Sequence, residues 1–129
     1  MKTLLFLLLT TVSVIACDKP VESDVRLVDI SIAQTTTPKT TTQSVGITCA
    51  VTVMGPDLCY NFAYFTVNKQ QTVVDIHAVG TYPTRPGACP QAIYYKDTTL
   101  SVPTTAPGQY VLRFYNGSQL FKSDTVLVN

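Results

Sequence analysis

The chain of 129 residues is 46% hydrophobic and only 13% charged, with a formal net charge of +1 at pH 7. This length suits one domain with a single core. Basic and acidic residues nearly balance, so the chain lacks the excess of Lys and Arg that binding to nucleic acid phosphates requires. We therefore expect no nucleic acid partner. The abundance of Val, Thr and Tyr, with no Trp, favours strands over helices.

Residues 1–16, "MKTLLFLLLTTVSVIA", have the anatomy of a secretory signal peptide, with one lysine, an apolar core and then small or apolar residues. The run is too short to cross a bilayer comfortably as a helix. The letters "VIAC" at its end resemble the lipobox of bacterial lipoproteins. That resemblance implies cleavage just before Cys17 and lipidation of Cys17, which leaves residues 17–24 as a membrane tether. The alternative is an ordinary signal peptide followed by an unrelated cysteine.

The residues after Cys17 bear on which membrane holds the anchor. Asp18 follows the cysteine directly, which resembles an inner-membrane retention signal of enteric bacteria. In Bacteroidota-type bacteria, however, Lys and acidic residues near the lipidated cysteine resemble surface-export signals. We expect a lipid-anchored protein of the cell envelope at the outer membrane, on its periplasmic or its surface face. More than one acyl chain would make the anchoring stable.

The four cysteines divide by their surroundings. With Cys17 acylated, three remain and three pairings are possible. Alternation in "VGITCAVTV" places Val45 and Cys49 on one apolar strand face, so Cys49 is expected to be a buried free thiol. Cys59 in "GPDLCY" and Cys89 in "RPGACPQ" both lie beside turn signals. We therefore predict a Cys59–Cys89 disulfide that joins the ends of two elements.

The rest of the chain alternates between extended runs and turn signals. Strands are predicted at about residues 25–33, 44–54, 59–69, 72–82, 91–102, 109–115 and 119–128. The segment "QTTTPKTTTQ" at 34–43 is expected to be an edge segment or a loop, because Pro38 blocks a central-strand ladder. An O-glycosylated stalk is the alternative interpretation of this segment.

The third predicted strand, "CYNFAYFTVNK", is apolar on both faces. Alternation places Tyr60, Phe62 and Tyr64 on one face and Ala63 and Phe65 on the other. Such a strand suits the centre of a sandwich or a surface that a partner covers.

The last two strands, "APGQYVLRFYNGSQLFKSDTVLV", resemble those of bacterial immunoglobulin-like modules. Within them, "PGQY" puts Tyr110 where such sandwiches often have a tyrosine corner. Leu112 stands where an antibody-type domain has its second core cysteine, and the third strand lacks the usual Trp. The resemblance implies an immunoglobulin-like antiparallel β-sandwich of about seven strands over residues 25–129. The segments "GPDLCYNF" and "ACPQAIYY" also look similar to small lipoproteins of Bacteroidota.

No residue pattern predicts catalysis. The single histidine, His77, lies on an exposed-looking strand face, there is no "GxSxG" elbow, and the aspartates are scattered. No closely spaced cysteine pair accompanies His77, so neither a metal site nor a cofactor is expected. We predict a protein that is not an enzyme.

Binding is the better functional hypothesis. Tyr60, Tyr64, Tyr94 and Tyr95 cannot all point into so small a core, and tyrosine supplies amphipathic contact area for proteins or sugars. With Arg85 of the loop "TRPGACP", these residues form the candidate binding surface, for an envelope protein or a glycan. Alternatively, the tyrosines cover the sheet edge and the protein is a structural spacer, or it is a secreted immunoglobulin-like effector without lipid.

Overall fold

A computed structural model describes residues 24–129, and every regular element in this range is a β-strand, so the all-β prediction is confirmed. The eight strands are β1 (Val25–Thr36), β2 (Thr40–Thr41), β3 (Ile47–Gly55), β4 (Asn61–Gln70), β5 (Val73–Pro83), β6 (Tyr94–Val102), β7 (Gly108–Asn116) and β8 (Gln119–Val128). The described range contains no helix with the length and hydrophobicity that crossing a bilayer would require. The predicted signal peptide and all of the predicted tether except Asp24 lie outside the described residues.

All seven predicted strands are present, and the eighth is the two-residue β2 within the threonine-rich segment. β1 continues through Gln34 to Thr36, because these residues pair with β3. After Pro38 the chain turns onto β8, where Thr40 and Thr41 pair in parallel with Leu127 and Val128. The proline therefore separates two short stretches of pairing.

The strands form one continuous sheet that curls on itself, in the order β2-β8-β7-β5-β1-β3-β6, with β4 on the other edge of β5. β1 connects the two halves: Val25 to Ile30 pair with β5, and the chain then pairs with β3 from Ser31 onward. Strands that change partner in this way form the corners of β-sandwiches. Five of the seven pairings among the described residues are antiparallel, whereas β2–β8 and β5–β7 are parallel.

Alternating residues of both halves fill the core between them. Ile47, Cys49, Val51 and Val53 of β3 are all buried, and Cys49 is a free thiol, as predicted. The prediction for Val45 is wrong, because this side chain is 72% exposed. It lies in the turn before β3, where its N–H donates to the carbonyl oxygen of Thr42. The regular alternation therefore begins only at Ile47.

Tyr110 makes the hydrogen bond expected of a tyrosine corner. Its ring is buried, and its hydroxyl donates to the carbonyl oxygen of Ala106 at 2.9 Å. This bond fixes the start of β7 against the loop that precedes it.

β4 is an edge strand rather than a central one, because it pairs with β5 alone among the described residues. A bulge between Phe62 and Tyr64 adds Ala63 as an extra residue, which resets the alternation. Phe62 and Phe65 consequently pack against the core together, with ring centroids 4.9 Å apart, and Tyr64 is exposed. The predicted assignment of faces is therefore wrong from the bulge onward.

The free edges of β4 and β6 approach each other at both ends of the sandwich. At one end the N–H of Phe62 donates to the hydroxyl oxygen of Tyr94 at 3.1 Å. At the other end the Lys69 ammonium donates to the carbonyl oxygen of Pro103, also at 3.1 Å. These two contacts close the open side of the sandwich without strand pairing.

Side chains also close the opposite side, where β1 leaves β5 and crosses to β3. The Asn116 side chain accepts from the N–H of Ile32 at 2.7 Å and donates to its carbonyl oxygen at 3.2 Å. Further along, the Lys122 ammonium donates to the carbonyl oxygen of Thr35, and the Thr37 hydroxyl donates to Asp124. The second half of β1 is thus paired with β3 and is also held by side chains of β7 and β8.

Candidate binding surface at the disulfide end

A disulfide joins two loops at one end of the sandwich, where β1, β4 and β6 begin and β3 and β5 end. Cys59 and Cys89 are bonded as predicted, with their Cα atoms 5.6 Å apart. The N–H of Leu58 donates to the carbonyl oxygen of Pro90, which adds a backbone contact between the same loops. Two segments far apart in sequence are therefore held as one unit.

Asp57 organises the turn before the disulfide. One carboxylate oxygen accepts from the N–H of Cys59 at 2.9 Å, and the other lies 3.5 Å from the hydroxyl of Tyr82. Partial burial raises the pKa of Tyr82, and the negative charge of Asp57 raises it further. The phenol hydroxyl is directed at this carboxylate as its hydrogen-bond donor.

Tyr60 and Tyr82 form an aromatic layer beneath the disulfide, with ring centroids 4.7 Å apart. Gly55 makes room for this layer, because a Cβ at that position would lie 2.6 Å from the Cβ of Tyr60. The Arg26 guanidinium lies 5.7 Å from the centroid of the Tyr82 ring. Tyr60 packs against the core, so its contacts are those of a structural residue.

The other members of the candidate surface divide in the same way. Tyr94 packs against the core and accepts the hydrogen bond from Phe62. Tyr64 is 46% exposed, Tyr95 is 59% exposed and Arg85 is also exposed. The structure thus leaves these last three side chains available at or near the disulfide end.

Further exposed apolar side chains lie at this end of the sandwich, in the two loops and near the starts of β1 and β6. We call this set the disulfide-end surface; it comprises Val25, Leu27, Leu58, Ile93 and Tyr95. The chain reaches β1 at the same end, because the carbonyl oxygen of Asp24 accepts from the N–H of Thr84 at 2.7 Å. Sequence reasoning singled out only Tyr95 of this set, because exposure at strand ends does not follow from alternation.

The disulfide end also holds three groups at the spacing of a metal site. Atoms of Asp57, Cys59 and Cys89 all lie within 4.8 Å of one another. The two sulfurs are bonded to each other, however, so neither is the thiolate that a metal ion needs. Only the carboxylate remains as a ligand. No pocket lies among residues 24–129.

A second group of polar and aromatic side chains lies on the outer face of β5 and β7. Arg113 donates two hydrogen bonds to Asp75, at 2.6 and 2.8 Å, and the rings of His77 and Tyr115 are stacked at 5.0 Å. The sequence placed His77 on an exposed-looking strand face but did not indicate its partners on β7. The parallel pairing of β5 with β7 brings the four together, and no local sequence signal indicates that pairing.

Comparison with known proteins gives a family for this architecture. Residues 49–127, which are more than half of the chain, match the family described as the ORF11 β-sandwich domain. The match runs from the buried Cys49 to Leu127 of β8 and includes both cysteines of the disulfide. No curated protein and no solved structure matches the chain.

Proposed function

The chain belongs to the ORF11 β-sandwich domain family, and on this scaffold we propose a lipid-anchored, non-catalytic binding module of a bacterial cell envelope. The family description gives a fold and names no activity, so the proposal depends on the residues of this chain. The sequence "VIAC" carries the proposal, because seven residues separate its lipobox-like cysteine, Cys17, from the first residue of the sandwich, Val25. The expected location is the outer membrane, on its periplasmic or its surface face.

The contacts of the ionisable side chains support a non-catalytic role. Asp57, Asp75 and Asp124 each accept hydrogen bonds from neighbouring groups of the fold. The single histidine, His77, is stacked on Tyr115. These groups stabilise the sandwich, and none of them lies in a pocket among the described residues.

Tyr64 supports a binding role. It is an exposed aromatic side chain on β4. Tyrosine side chains are enriched at protein interfaces, where they supply amphipathic contact area. An envelope protein or a glycan is the expected partner.

Lipidation is tested by Cys17→Ala in cells fed labelled palmitate, with Ser13→Ala as a control in the leader outside the lipobox. We expect Cys17→Ala to lose the label and to retain its leader, whereas Ser13→Ala is labelled and cleaved normally. Two results together would contradict lipidation: the leader is still removed from Cys17→Ala, and the unmodified parent protein never incorporates the labelled palmitate. They would indicate a secreted protein without lipid.

Partner binding is tested by a photocrosslinking residue in place of Tyr64 in intact cells. The control carries the same residue in place of Val45, which is exposed at the opposite end of the sandwich. We expect a discrete crosslinked product from position 64 and none from position 45. Identical patterns from both positions would contradict the binding role and favour a structural spacer.

A further inference from the structure

The disulfide-end surface is apolar where a domain in water is usually polar. Ile93 and Tyr95 are 55% and 59% exposed, and Val25, Leu27 and Leu58 are exposed at the same end. These are five of the eleven large hydrophobic side chains that are exposed among residues 24–129. Exposed apolar groups that share one end of a small domain can form a contact with another phase or molecule. The residues belong to β1, β6 and the two loops joined by the disulfide, so their relative positions are fixed by the fold.

The chain that precedes the sandwich leads to this same end. The carbonyl oxygen of Asp24 accepts hydrogen bonds from the N–H and the hydroxyl of Thr84, so the first described residue is fixed beside the disulfide loop. Seven residue steps separate Cys17 from Asp24, and a fully extended chain of that length spans at most about 25 Å. A lipid on Cys17 would therefore hold the disulfide end near the headgroups.

The described charges at this end are balanced. Arg26 and Arg85 are exposed there, and the carboxylate of Asp57 accepts hydrogen bonds from Cys59 and Tyr82. Asp24 is an exposed acidic residue at the same end. Arginine and tyrosine side chains combine an apolar body with a polar tip, which suits the boundary between lipid and water.

We infer that the disulfide-end surface rests on the bilayer that carries the anchor, with its apolar side chains in the lipid headgroup region. This inference rests on the proposed lipid anchor and names the lipid as the partner of this surface. The anchor brings the surface to the bilayer, and burial of its apolar side chains orients the sandwich. Tyr64 then remains available to a partner beside the membrane.

The absence of tryptophan from the chain permits a direct test. Ile93→Trp places a single fluorescent reporter on the disulfide-end surface, and Val45→Trp places the control at the opposite end, where the side chain is also exposed. Each full-length protein is isolated with its lipid and reconstituted into vesicles of phosphatidylethanolamine and phosphatidylglycerol. Flotation of the vesicles first reports the anchor, and lipid brominated near the glycerol then reports contact with the reporter.

We expect both variants to float, and we expect brominated lipid to quench the emission of Ile93→Trp while that of Val45→Trp is unchanged. Equal, unquenched emission from the two floating variants would overturn the inference and leave the anchor intact. A shift of the Ile93→Trp emission to shorter wavelength without quenching would assign the surface to a second copy of the chain and overturn the lipid assignment. Failure to float would overturn both the anchor and the inference.

Discussion

The ring of Tyr60 lies against Tyr82 beneath the disulfide, and the hydroxyl of Tyr94 accepts a hydrogen bond from Phe62. Tyr64 and Tyr95, although close to them in sequence, are exposed. The sequence does not distinguish these four tyrosines, but the fold does: two of them pack against the core and two lie at the surface. The free energy of unfolding separates these roles.

We expect Tyr60→Ser and Tyr94→Ser to lower the free energy of unfolding by about 2 to 4 kcal/mol each, because each substitution removes a ring that packs against the core. Tyr64→Ser and Tyr95→Ser are the matched controls and should change it by no more than about 0.5 kcal/mol, the usual range for exposed positions. Urea denaturation measures all four. Large losses at all four positions would place Tyr64 and Tyr95 in the packing as well.

Tyr110→Phe isolates the hydrogen bond of the tyrosine corner. The substitution keeps the buried ring and removes the hydroxyl that donates to Ala106. The carbonyl oxygen of Ala106 then loses this donor, so the free energy of unfolding should fall by about 1 kcal/mol. Tyr115→Phe, on the exposed face of the same strand, is the control. Equal unfolding midpoints for both variants would show that the bond contributes nothing.

At the scale of the elements, alternation accounts for the buried face of β3 and for the positions of all seven longer strands. It fails at β4, because the extra residue at Ala63 changes which side chains face the core. No local sequence signal indicates this bulge. It lies where Phe62 pairs with Gly80, and a Cβ added to Gly80 would lie 2.7 Å from the carbonyl oxygen of Asn61. A close approach between two strands is a tertiary property, so it is not readable from either segment alone.

The candidate site shows the same division between local and tertiary information. The disulfide was predictable, because turn signals flank both Cys59 and Cys89. The stacked pair of His77 and Tyr115 was not, because it depends on the parallel pairing of β5 with β7. The side chain of Asn116 illustrates the limit further, since its partner Ile32 lies 84 residues away.

Asn116→Ala tests whether this side chain holds β1 where it changes partners. The substitution removes two hydrogen bonds to the backbone of Ile32, and we expect a loss of about 1 to 3 kcal/mol in the free energy of unfolding. Amide hydrogen exchange should become faster at Ile32 in particular. Asn68→Ala, at an exposed position of β4, is the control. Unchanged exchange at Ile32 would show that the crossing does not depend on Asn116.

At the scale of the whole molecule, the Cys59–Cys89 disulfide adds a covalent cross-link to a domain with a small hydrophobic core. It closes a loop across 30 residues, and the loop-entropy relation gives a contribution of about 3 to 4 kcal/mol. The paired substitution Cys59→Ser with Cys89→Ser should lower the free energy of unfolding by that amount. Reductant should have the same effect on the parent protein and none on the variant. A parent protein indifferent to reductant would contradict this contribution.

The burial of Cys49 has a consequence for refolding. In the native sandwich its thiol is fully enclosed, and burial raises its pKa, so it cannot attack the disulfide. Unfolding releases this thiol into a chain that also contains the Cys59–Cys89 bond, and exchange can then produce mispaired isomers. Heating should therefore be irreversible above about pH 8, where thiolate forms, and reversible in mild acid. Burial of the Cys49 thiol in the native fold thus protects the Cys59–Cys89 disulfide from exchange.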